Sequence, residues 1–118
     1  MEIAYLMAGK VFKTDGSVEN LNDLLYPYNL VANADDEYTA TSVRRTSDNP
    51  DFERYSVEHS FGDSAHDPKE FCVGKIIDHT GYRKPNVVET TPQNIEGILR
   101  EVNQDIPDAK VLVFSHWV

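Results

Sequence analysis

Three of the four histidines and the only cysteine fall within 21 residues: His59, His66, Cys72 and His79, with Asp63, Asp67 and Asp78 among them. Neutral imidazole and thiolate are ligands that zinc prefers, and four of them could close a tetrahedral site. The spacing, His-x6-His-x5-Cys-x6-His, contains neither the Cys-x2–4-Cys nor the His-x3–5-His pair of common zinc modules. A plainer reading competes at two positions. His59 shares an apolar face with Tyr55 and Val57, where a hydrogen-bonded interior histidine is expected. Cys72 reads as a small buried hydrophobe.

The same region offers a second chemistry. Gly62-Asp63-Ser64-Ala65-His66-Asp67 places a hydroxyl, an imidazole and two carboxylates in one loop. Histidine can act as acid or base near neutral pH, and a carboxylate can orient it. The loop lacks the G-x-S-x-G elbow of a nucleophilic serine, and its plainer reading is a polar surface loop of turn-formers. Phosphate-binding loops are excluded more firmly. Gly9-Lys10 and Gly74-Lys75 are the only Gly-Lys pairs, and neither lysine precedes Ser or Thr. The positions that need the first Walker glycine hold Ala4 and Lys69. No cofactor is expected.

Carboxylates form the third candidate constellation. The net charge is −9, and residues 35–70 carry ten Asp and Glu against four Lys and Arg. Lysines and arginines are scattered, with adjacent pairs only at Arg44-Arg45 and Arg83-Lys84, so no basic stripe for nucleic acid is present. Acidity commonly serves solubility. The sharper reading is an acidic face made of Asp35, Asp36, Glu37, Asp48, Asp51 and Glu53, which would meet a protein partner with a basic surface. Tyr26, Pro27 and Tyr28 are read either as an exposed contact patch or as residues packed under a loop. Trp117, beside His116, is read as a core cover, a partner anchor or a dimer contact.

The elements that must position these groups are legible in part. Thr91-Pro92 starts a helix: the threonine caps an early N–H, and proline at the first position loses no bond. Ile95, Ile98, Leu99 and Val102 follow on one face. Gly97, in mid-helix, is expected where the helix backbone closely approaches a sheet. The loop after this helix is short, so Ala109 to Phe114 should pack beside it. Its unbroken apolar residues 111–114 predict a strand covered on both faces, at the centre of the fold.

Earlier in the chain, Ile3 to Ala8, continuing through Val11 and Phe12, predicts the first strand. Asp15-Gly16 is a turn, and Ser17 caps a short helix presenting Val18, Leu21, Leu24 and Leu25 on one side. Leu30-Val31 is a candidate short strand. Tyr38 to Arg45 suits a half-exposed strand, Thr46 to Asp51 a turn. Tyr55, Val57, His59 and Phe61 alternate with polar residues, so the stretches before and after that turn form a hairpin. Phe71 to Ile77 predicts a further strand with Gly74 as a bulge, and Asn86 to Thr90 a short return strand.

This order predicts one domain over residues 1–118, of the α+β class. Its antiparallel or mixed sheet has about five to six strands with two helices on one face. The simplest arrangement is a ferredoxin-like βαββαβ core with an added strand or hairpin. The sheet's other face then needs a cover, and a homo-oligomer is one way to provide it. A single cysteine, no charged leader followed by an apolar segment, and no run of about 20 apolar residues predict a cytoplasmic, membrane-free protein. The functional expectation is a non-enzymatic binding module: an inhibitor, immunity-type or regulatory protein, in the extreme by mimicking nucleic-acid charge. The alternative is a small metal-dependent or acid–base hydrolase built on the His/Cys group.

Overall fold

The computed structural model describes residues 2–59, 69–80 and 90–117. Among these residues, six strands and two α-helices run in the order β1 (Glu2–Thr14), α1 (Val18–Leu25), β2 (Leu30–Ala34), β3 (Ala40–Arg45), β4 (Tyr55–His59), β5 (Lys69–His79), α2 (Pro92–Asn103) and β6 (Lys110–Trp117). The strands form one antiparallel sheet in the order β2-β3-β4-β5-β1-β6. The class is α+β, as expected, and the chain order is a βαββαβ plan with one added hairpin, β2–β3. The sequence expectation of a return strand at Asn86–Thr90 falls almost wholly outside the described residues, as does the loop Gly62–Asp67.

The contacts group into two compact units, Met1–Lys10 with Gly74–Val118, and Val11–Val73. In the first, β1 pairs with β6 from Glu2↔Trp117 to Gly9↔Lys110. Among its described residues, Met7, Ala8, Val102, Ile106 and Ala109 are buried. Thr80 fastens the end of β5 to β1: its N–H donates to the Ala4 carbonyl at 2.9 Å, and its Oγ1 accepts the Ala4 N–H at 2.9 Å. Helix α2 begins as its sequence dictates. Thr91 Oγ1 accepts the Asn94 N–H at 3.1 Å, and Pro92 occupies the first turn. Lys10–Asp108 and Lys75–Glu101 add ion pairs at the unit's surface.

Two expectations for this unit are overturned. β6 is not a central strand covered on both faces; it ends the sheet, paired to β1 alone among the described strands. Val113 is 75% exposed and Val111 39%, whereas Leu112 and Phe114 are half-buried, with Phe114 stacked on Tyr5. The apolar run shows a side-chain preference, but only long-range pairing decides how many neighbours a strand acquires. Gly97 approaches no sheet: it is exposed, and a Cβ built there meets nothing within 4 Å. Gly74, by contrast, is a glycine of close approach. A Cβ there would run into the Ala8 carbonyl oxygen and lie 2.6 Å from Gly9 Cα.

The second unit is built on the rest of β1, helix α1, strands β2 to β4 and the first part of β5. Phe12, Val18, Leu21, Leu25, Leu30, Val43, Tyr55, Val57, Phe71 and Val73 are buried in it. Val18, Leu21 and Leu25 recur at helical spacing, but Leu24 points outward, a correction to the four-residue face. A 3-10 turn, Tyr26–Tyr28, ends α1; it leaves Tyr26 79% exposed and sets Tyr28 edge-on against Phe12. Asn29 then takes a left-handed conformation, φ 58°, which its short side chain tolerates. The alternation seen in the sequence holds in β4, where Tyr55 and Val57 are buried and Ser56 and Glu58 half-buried. The hairpin β3–β4 also forms as expected.

Candidate functional site

The turn Asp15-Gly16-Ser17 leads into α1, and its geometry is local chemistry. Gly16 has φ 96°, a conformation open to glycine. Ser17 is the N-cap: its Oγ accepts the Asn20 N–H at 3.1 Å. The Ser17 hydroxyl in turn donates to Asp15 Oδ1 at 2.6 Å, and the Ser17 N–H donates to the same oxygen at 2.8 Å. Asn20 reaches back, with Oδ1 accepting the Asp15 N–H at 3.1 Å.

The β2–β3 connection closes over this turn. The ladder between the two strands shifts register at Asn33–Ala34, and the chain leaves it as Asp35-Asp36-Glu37. The Asp35 N–H donates to the Thr39 carbonyl at 3.1 Å, and Asp36 Oδ1 accepts the Tyr38 N–H at 2.8 Å. The Val18 N–H, at the start of α1, donates to the Glu37 carbonyl at 2.8 Å. That bond satisfies a helix N–H with no partner inside the helix and ties loop to helix.

Between them lies an open cleft of about 670 Å³, lined by Asp15, Ser17, Val18, Glu19, Ala34, Asp35, Asp36, Glu37 and Tyr38. Five of these nine residues are carboxylates and none is basic, so the cleft has a single sign. Crowded carboxylates ordinarily resist ionising together. Here local donors oppose that. The Ser17 hydroxyl and N–H hold the Asp15 carboxyl below its usual range. The Tyr38 N–H does the same for Asp36. These donors favour the ionised form of Asp15 and Asp36, beside the exposed ring of Tyr38. Chemically it suits a cationic side chain, whose charge would be met from two loops.

The structure divides the six predicted acidic residues into two groups. Asp35, Asp36 and Glu37 line the cleft and precede β3; Asp48, Asp51 and Glu53 follow β3 and do not line it. Asp48 is committed to the β3–β4 turn. Its carboxylate accepts Arg54 Nε at 2.9 Å, Arg54 Nη2 at 3.0 Å and the Arg45 N–H at 2.9 Å. The Arg54 guanidinium first, then the Arg45 N–H, lower its pKa to about 2. Asp51 and Glu53 are exposed on the same turn. Sequence reasoning missed Asp15 and Glu19, because Asp15 and Asp35 are far apart along the chain. The Ser17 cap and the acidic run were each visible; their proximity was not.

Of the proposed metal or catalytic groups, His66 lies outside the described residues, as does the side chain of His59. Cys72 and His79 both sit on β5. Cys72 is buried between Phe71 and Val73; His79 is exposed, its Nδ1 3.0 Å from the Thr80 carbonyl oxygen and its ring near Tyr5. Among the described residues, no three His, Cys, Asp or Glu side chains are placed to hold a metal ion together. No helix there is long and apolar enough to cross a membrane. Comparison with protein-family models, curated proteins and solved structures finds no match.

Proposed function

We propose that this protein is a binding module that docks a basic protein surface, and that the cleft between Asp15–Glu19 and Ala34–Tyr38 is where it does so. The single observation that supports this is the set of five carboxylates around one open cleft with no basic residue in its lining. A Lys or Arg side chain entering it would be attracted from two loops, and Tyr38 offers an aromatic face to a guanidinium. Such complementarity speeds encounter and weakens with salt. Asp51 and Glu53 extend the negative field beyond the cleft, whereas Asp48 is largely offset by Arg54. The role is that of an inhibitor, immunity-type or regulatory protein acting in a reducing, cytoplasmic compartment. When the partner is a nucleic-acid-binding enzyme, the carboxylates stand in for phosphates.

The test separates charge from fold. Glu19→Gln, Asp35→Asn and Glu37→Gln, combined, remove three charges and leave the turn-forming carboxylates of Asp15 and Asp36 untouched. Both proteins serve as bait in a lysate of the native host at low and at high salt. The expected result is a partner retained by the wild-type protein at low salt, lost at high salt and lost by the triple variant. A partner held equally by both proteins, or equally at both salt concentrations, overturns the proposal.

A further inference from the structure

We draw no further inference here: the strongest candidate, the outer edge of β6 with Val111 and Val113 turned to solvent, is an apolar strand edge, and nothing in the structure shows what covers it.

Discussion

Asn22 Oδ1, on helix α1, accepts the backbone N–H of Ala32 at 2.8 Å, at the middle of the edge strand β2. A sheet edge presents backbone donors that can recruit another strand. Here a helix side chain occupies one of them. Asn22→Leu removes the acceptor and should cost about 1 kcal/mol in chemical denaturation, the worth of a typical intramolecular hydrogen bond. Hydrogen exchange gives a site-specific check. The Ala32 amide should exchange faster in the variant, and unchanged protection there would discredit the role assigned to Asn22.

The two-point pairing of Arg54 with Asp48 predicts an acid transition with a definite sign. The Asp48 carboxyl is held at about 2, below its ordinary 3.8, so the folded state favours the ionised form. Its contribution to stability is therefore complete above about pH 4 and is lost as pH falls through about 2. Carboxyl NMR titration of the wild-type protein should place the Asp48 midpoint near 2 rather than at its ordinary 3.8. In Arg54→Ala its midpoint should rise toward 3.8. A midpoint unmoved by that substitution would show that the guanidinium is not its cause.

Gly97 offers a stabilising substitution. It lies inside α2, exposed, with open space where a Cβ would go. Alanine loses less backbone entropy there, so Gly97→Ala should stabilise the protein by about 1 kcal/mol. Thermal and denaturant unfolding read the change. A loss of stability would mean that the helix face near Gly97 makes a contact this geometry lacks.

Gly74 predicts the opposite. The same substitution drives a Cβ into the backbone of Ala8 and Gly9, and backbone cannot swing aside as a side chain can. Overpacking of this kind costs about 1–3 kcal/mol, and a backbone obstacle puts Gly74→Ala at the upper end or beyond. The paired measurement is informative, since both positions are glycines in regular elements. Equal effects at 74 and 97 would refute the close β1–β5 approach.

What could be read from residue order was what neighbours in the chain decide. Ser17 and Thr91 cap their helices because each hydroxyl reaches an N–H three residues on. The Tyr55–Val57 alternation appears in β4 because a strand turns successive side chains to opposite faces. The acidic excess in mid-chain was equally plain. Tertiary structure decided what depends on distant partners. It placed β6 at the margin, because an apolar run specifies burial preference but not the number of flanking strands. It set Asp15 and Glu19 beside Asp35–Glu37, because the Val18 N–H bonds the Glu37 carbonyl, and it gave Asp48 to Arg54, because β3 and β4 pair on either side of their turn. A charge count is a property of the chain; which charges share a cleft is a property of the fold.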